Sequence, residues 1–256
     1  MTTPTGKFVW FDYIAQDIKK AQGFFGELFN WKTQEVPMPG GDTYTMIALG
    51  DQTIGGYMTT PKGAPPVGHW LPYLGVADAQ RTGDKIKSLG GKVHKEPSKM
   101  GEAGTFAIVA DNGGGVFALW QPTKPEGTGD YKDLPGAFCW NELAAHDPVK
   151  AVAFYSQLGF TEEKMEMPGM GTYHVLNSDG KGRAGVMKTP MPDAPQAWMP
   201  YVQVKDADAT IAKAEKLGAK IAVPPNDVTG VGRLAIFTDP QGGWLGVLQP
   251  APDMKK

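Results

Sequence analysis

The sequence predicts an α+β protein of two tandem domains, each made of two β-α-β-β-β units. Three observations predict it. The chain is written twice: Trp140-Asn141-Glu142-Leu143-Ala144-Ala145-His146-Asp147 repeats Trp10-Phe11-Asp12-Tyr13-Ile14-Ala15-Gln16-Asp17, and Ala235-Ile236-Phe237-Thr238-Asp239 answers Ala107-Ile108-Val109-Ala110-Asp111. Phe24/Phe154, Leu28/Leu158, Tyr44/Tyr173, Trp70/Trp198 and Pro72-Tyr73/Pro200-Tyr201 fall between them. Second, a strand followed by a capped helix restarts inside each copy. Third, 256 residues suffice for two domains that each bury a core. A repeat this long holds a whole small domain per copy, unlike the roughly 20–50-residue repeat of a solenoid.

Each copy opens on a strand, Phe8-Val9-Trp10-Phe11 or Phe138-Cys139-Trp140-Asn141. Asp17 and Asp147 follow as helix N-caps, the second with Pro148 at the first helical position. Ala21, Phe24, Phe25 and Leu28 then recur at helical spacing, as do Ala151, Phe154, Tyr155 and Leu158. Strand-like runs come next, Tyr44 to Leu49 and Ile54 to Met58, or Tyr173 to Leu176 and Ala184 to Met187, separated by Gly/Asp turns. The pattern restarts at Leu71 to Val76, with Asp78 as cap and a helix to Leu89-Gly90; its counterpart is Met199 to Val204, Asp206 and a helix to Leu217-Gly218. A glycine there suits a left-handed helix end. Phe106 to Val109 and Val116 to Trp120, or Leu234 to Phe237 and Trp244 to Leu248, close each copy. The polar, Gly- and Pro-rich stretch 123–135 reads as a linker between domains at 6–122 and 136–250.

Composition excludes several classes. A net charge of −2, a pI near 6.1 and no basic stripe argue against a nucleic-acid partner. Apolar runs are strand-sized, so no membrane span is expected. Cys139 is alone, which rules out an intrachain disulfide, and the start has no basic-then-apolar signal. A cytoplasmic protein is expected, either a monomer with an internal pseudo-dimer or a weak homodimer.

The four units, the helix phrase Phe24-Phe25-Gly26-Glu27-Leu28-Phe29-Asn30-Trp31, the turn Asp239-Pro240-Gln241-Gly242-Gly243 and the end Leu119-Trp120-Gln121-Pro122 resemble the vicinal oxygen chelate superfamily. That superfamily holds glyoxalase I, bleomycin-resistance proteins and extradiol dioxygenases. The resemblance covers Gly6 to Pro250 and is closest to its tandem, two-domain glyoxalase-like members. It implies that the two units of each domain form a curved mixed sheet with outer helices, whose hollow is a cup; in the enzymes a cup holds a divalent metal on ligands from the first and last strand of each unit. Carried over, those positions are Trp10, Leu71, Trp140 and Met199, with Ala118 and Gly246, and less securely Gly56 and Gly185. None of these offers a ligand for a hard or borderline metal. His69 and His146 have no carboxylate at a matching position in their own copy. The resemblance therefore does not extend to metal-dependent chemistry, and neither metal nor cofactor is expected.

Residues two apart on a strand share a face. With Trp10 in a cup, Phe8 and Asp12 face it too; the second copy gives Phe138, Trp140 and Glu142. The same count turns Leu71 and Tyr73, Met199, Tyr201 and Gln203, and Ala118 and Trp120 inward. The ligand-binding candidates are therefore Trp10, Asp12, Tyr73, Trp120, Trp140, Glu142, Met199, Tyr201 and Gln203. The competing reading is that the cups are filled, with Asp12 and Glu142 accepting only from an indole or backbone N–H. His69 is placed at the mouth of the first cup and His174 near the second, and no single histidine is assigned catalysis. Cys139 has opposite parity to Trp140 and should pack under a helix. Gly230-Val231-Gly232-Arg233-Leu234-Ala235 fits a dinucleotide fingerprint in letters but precedes a strand, so it fails on context.

Two functions fit these residues. One is a glyoxalase/bleomycin-resistance-like binding protein that holds a small organic molecule in an aromatic cup without metal. The other is a glyoxalase-like lyase or isomerase with Asp12 or Glu142 as general base. In a third arrangement one copy is purely structural. The second cup is expected to be roomier, because Gly185 and Gly246 are small and Trp120 of the first copy is replaced by Leu248.

Overall fold

The computed structural model describes residues 6–38, 41, 43–124, 134–167 and 171–252. Most of the expected linker, 125–133, and the start, 1–5, lie outside them. The first half runs β1 (Lys7–Ala15), α1 (Ile18–Phe29), β2 (Lys32–Pro37), β3 (Thr43–Leu49) and β4 (Gln52–Thr59), then β5 (His69–Gly75), α2 (Ala79–Ser88), β6 (Lys92–Met100), β7 (Gly104–Ala110) and β8 (Val116–Pro122). The second half repeats it as β9 (Phe138–Ala145), α3 (Pro148–Gln157), β10 (Thr161–Met167), β11 (Gly171–Ser178) and β12 (Lys181–Lys188), then β13 (Ala197–Gln203), α4 (Ala207–Lys216), β14 (Lys220–Val228), β15 (Gly232–Thr238) and β16 (Trp244–Pro250). This is the β-α-β-β-β unit four times over. Among the described residues no helix is long and apolar enough to cross a membrane.

Capping sets the helix starts. Asp17, Asp78, Asp147 and Asp206 each accept the N–H three residues on, at 2.9–3.0 Å, satisfying a donor the helix itself leaves open. Gly90, Gly159 and Gly218 take positive φ just past three helices, while α1 ends on Asn30 at φ 59°.

Each half forms one eight-stranded sheet, ordered β2-β3-β4-β1-β5-β8-β7-β6 and β10-β11-β12-β9-β13-β16-β15-β14. Within each unit the first strand pairs parallel with the last, and the remaining recorded pairs are antiparallel hairpins. The strands at the sheet edges, β2, β6, β10 and β14, are those for which the sequence offers no clean run. They are largely exposed and carry residues such as Lys32, Glu35, Lys95, Glu96, Glu162 and Glu163. Charge on an edge strand blunts pairing with another chain, at the expense of the alternation that would reveal the strand. Gly232 opens β15 within the rejected fingerprint, so that motif leads into a strand.

Packing groups the chain differently from the repeat. One compact unit comprises Met1–Trp10, Leu71–Gly129 and Trp140–Met199; the other comprises Phe11–Trp70, Asp130–Cys139 and Pro200–Lys256. In the first, Leu74, Ile86, Phe117 and Leu119 share a core with Leu143, Tyr155 and Trp198. In the second the core is aromatic: Tyr13 lies 4.9 Å from Trp70 and 5.0 Å from Phe25 by ring centroid, and Phe11 stacks on Phe138 at 4.1 Å. Phe138 is therefore a core residue, and Phe8 packs 4.9 Å from Trp198, against the alternation expected for both.

Candidate functional site

The four parallel ladders share one arrangement. A large side chain on the first strand stands opposite a small residue on the last: Asp12 opposite Gly56, Tyr73 opposite Ala118, Glu142 opposite Gly185 and Tyr201 opposite Gly246. The glycines matter because of what lies above them. A Cβ at Gly56 would sit 1.9 Å from the Tyr44 hydroxyl, one at Gly185 would sit 1.8 Å from the Tyr173 hydroxyl, and one at Gly246 would meet the Tyr201 ring at 2.2 Å. The space these glycines leave is filled from neighbouring residues, so Gly185 and Gly246 do not open the second cup as the sequence suggests.

In the second packed unit, Tyr44 donates to Asp12 Oδ1 at 2.5 Å, and Asp12 is buried. In the first, Trp140 Nε1 donates to the Tyr173 oxygen at 2.9 Å, and Tyr173 in turn donates to Glu142 Oε2 at 2.8 Å. Burial, reinforced by the adjacent Glu142 carboxylate, holds the Tyr173 phenol well above its ordinary pKa. It therefore keeps its proton and serves as a donor, leaving the carboxylate as acceptor. Trp140 itself is half-buried and packs beside Gly182.

The other expected residues divide as follows. Tyr73 is buried; Trp120 is half-buried, with its ring over Gly104, where a Cβ would meet it at 2.9 Å. Met199 and Trp10 are half-buried, while Tyr201 and Gln203 are buried beside β16. Tyr44 and Tyr173 were not among the expected site residues. Their signal was present in the repeat, as a tyrosine pair matched to a glycine pair, Gly56 and Gly185.

The histidines fall elsewhere. His174 is buried with Nδ1 2.6 Å from Glu162 Oε1, on the face opposite Tyr173, so alternation carries it away from the cup. His69 is exposed beside the Val67 carbonyl, and His94 and His146 are exposed. The Cys139 thiol is pushed up to about 12 by burial and points its sulfur at the Tyr201 carbonyl, 3.5 Å away.

A metal does not fit this set. Among the described residues no three His, Cys, Asp or Glu side chains gather as a metal centre requires. At two of the positions where the resemblance would place ligands, a tyrosine hydroxyl presses on glycine, so a ligating side chain has no room there.

Comparison with known proteins accords with this fold. A protein named "Putative glyoxylase CFP32" in Mycobacterium tuberculosis, and likewise in Mycobacterium bovis, is 35% identical over 249 residues, covering 95% of this chain and 94% of its own. "Anthracycline biosynthesis protein DnrV" of Streptomyces peucetius is 34% identical over 128 residues, 44% of this chain and 46% of its own. The 2,3-dioxygenase LapB of Pseudomonas sp. KL28 shares the fold at a TM-score of 0.65 and 12% identity, over 99% of this chain and 96% of its own. The Mn(II)-bound glyoxalase of Novosphingobium aromaticivorans does so at 0.62 and 15%, over 98% and 89%. With its family model matched twice, at residues 7–119 and 140–247, the chain belongs to the Glyoxalase/Bleomycin resistance protein/Dioxygenase superfamily.

Proposed function

We propose that this protein binds a small, partly aromatic organic molecule without a resident metal, at Trp140, Tyr173 and Glu142 and at the counterpart pair Tyr44 and Asp12, with Trp10 also assigned to ligand contact. The observation that carries this reading is the chain Trp140–Tyr173–Glu142: a buried carboxylate held in a fixed direction by a phenol that an indole fixes in turn. A carboxylate in apolar surroundings needs partners, and a ligand cation or hydroxyl supplies one more. The half-buried indole offers a face for stacking and for cation–π contact. Met199, Tyr201, Gln203, Tyr73 and Trp120 are assigned to ligand contact in the same reading. The domains are taken as 6–122 and 136–250, the location as cytoplasmic and the state as a monomer or weak homodimer, with no nucleic-acid partner. A relative named for anthracycline biosynthesis supports an organic ligand.

The glyoxylase name of the full-length relative favours a second reading, in which Glu142 or Asp12 takes a proton next to a carbonyl. The enolate would need a donor, and Tyr173 is committed to Glu142. Binding is therefore preferred.

Soaking crystals with a metabolite mixture, alongside elemental analysis of protein purified without chelator, tests the proposal. Density beside Trp140 and Glu142 with no stoichiometric metal is the expected result. Stoichiometric zinc, nickel, iron or manganese, or the absence of ligand at both carboxylates, would overturn it.

A further inference from the structure

The repeat supplies one small assembly twice. It contains a helix-capping aspartate (Asp17 or Asp147), a turn aspartate (Asp239 or Asp111), the residue two beyond that turn aspartate (Gln241 or Gly113), and the residue two before the repeated tryptophan (Gly68 or Gln196). In the second packed unit Gln241 closes it. Its Oε1 accepts the Asp17 N–H at 3.1 Å, and its Nε2 donates to the Asp17 carbonyl at 2.9 Å. In the first unit Gly113 has no side chain to do this, and Gln196 turns instead onto the Asp111 carboxylate, at 2.8 and 2.9 Å.

A cleft of about 110 Å³ lies beside Asp147 in the first unit, with Asn112, Gly113, His146, Lys150 and the Gln196 side chain on its border, and Asp147 answers in sequence to the Asp17 that Gln241 bonds. It shares Asn112 and Gly113 with a wider cleft of about 460 Å³ that reaches Lys92, His94 and Val116. The corresponding residues of the second copy include Pro240 for Asn112 and Trp244 for Val116, both bulky and apolar. Asn112 Oδ1 is buried and makes no hydrogen bond. A buried acceptor without a donor is costly, and a ligand that brings one relieves it.

We propose that this cleft binds a primary carboxamide. The ligand's carbonyl oxygen takes the Asp147 N–H, as Gln241 Oε1 takes that of Asp17, and its NH2 group has the Asp147 carbonyl and Asn112 Oδ1 as acceptors. A carboxylate of the same shape offers no donor to either acceptor and meets the capping Asp147 carboxylate. The site is independent of the Trp140–Tyr173–Glu142 group and of any ligand there.

The test is an NMR titration of the Asp147 amide in the full chain with propanamide and with propanoate. Propanamide should shift Asp147 saturably, with propanoate at least tenfold weaker. The double variant Gly113→Gln/Gln196→Gly installs the second unit's plug and should abolish the shift; it is built as a pair because a Cβ at 113 would sit 2.4 Å from the Gln196 amide. Gln241→Gly makes the converse change and should create a second saturable response at the Asp17 amide. It keeps the proposal testable if the double variant fails to fold. Propanoate binding as well as propanamide, a shift that survives in a folded double variant, or no new response in Gln241→Gly would each overturn the proposal.

Discussion

The two packed units solve one problem with different residues. Each buries the turn aspartate and supplies it with a tyrosine hydroxyl, yet the tyrosine comes from strand β1 as Tyr13 in one unit and from helix α3 as Tyr155 in the other. Where one unit has Tyr13 and Phe25, the other has Leu143 and Tyr155, so the hydroxyl moves from strand to helix while the apolar partner moves the opposite way. The glutamines do not exchange in this way: Gln196 donates to the Asp111 carboxylate, whereas the Gln241 side chain bonds the Asp17 backbone. For the hydroxyl, what the duplication preserves is the place of the polar atom, not the chain position that delivers it. The exchange is incomplete: Trp198 Nε1 donates to Tyr155 at 3.1 Å, whereas Trp70 Nε1 has no partner.

The largest effect that would sharpen this comparison is loss of the aspartate. Asp111 accepts from Tyr155, Gln196, Gly113 N and Gly115 N, so Asp111→Ala strands several buried donors and should cost about 3–5 kcal/mol. Asp239 has Tyr13 and turn amides but no glutamine side chain, and Asp239→Ala should cost less, about 1–3 kcal/mol. Urea unfolding of both variants measures the difference, and equal losses would break it.

An exchange within the second unit comes next. Tyr13→Leu removes the Asp239 donor and should cost about 1.5–3 kcal/mol, as expected for a hydrogen bond to a charged group. Adding Phe25→Tyr copies the first unit's pattern, with a hydroxyl for Asp239 and an acceptor for Trp70, and should recover most of that loss. Additive losses in the double-mutant cycle would show that the two units are not interchangeable.

A smaller effect follows from protonation. Burial, opposed by hydrogen bonds from Tyr13 and the turn amides, raises the Asp239 pKa above the ordinary 3.8. In the window between 3.8 and that raised value the folded state holds the proton more tightly than the unfolded chain. Stability from this group is therefore present in acid and lost as pH rises through the folded pKa. Wild type should gain on Asp239→Asn as pH falls through that window; a constant or reversed difference in unfolding free energy contradicts it. Least visible is Cys139: its thiol, pushed up to about 12, should be alkylated far more slowly in folded than in unfolded protein at pH 8. Equal rates would show that the thiol is not shielded as its raised pKa requires.

The fold was legible because its signals are local. Four capping aspartates and the helical spacing of residues such as Phe24, Phe25 and Leu28 need no partner to be read. The edge strands were counted but not located, because charge there serves solubility rather than a core. Alternation on β9 puts Trp140 and Glu142 on one face, and both meet the Tyr173 hydroxyl. The role of Gly185 was not legible, since a glycine reads as open space until the tyrosine above it is known. The cores shared between sequence halves were not legible either: Phe8 and Phe138 look like cup residues on strand spacing and join the cores through contacts distant in sequence.

The most direct test of the central claim is calorimetric titration of chelator-treated protein with an aromatic ammonium probe such as phenethylammonium, comparing wild type, Glu142→Gln and Asp12→Asn. Binding should survive chelation and weaken by about 1.5–3 kcal/mol, roughly ten- to a hundredfold, in Glu142→Gln, with a smaller loss in Asp12→Asn. Binding that returns only when a divalent metal is restored, or that is unchanged in Glu142→Gln, would contradict the account.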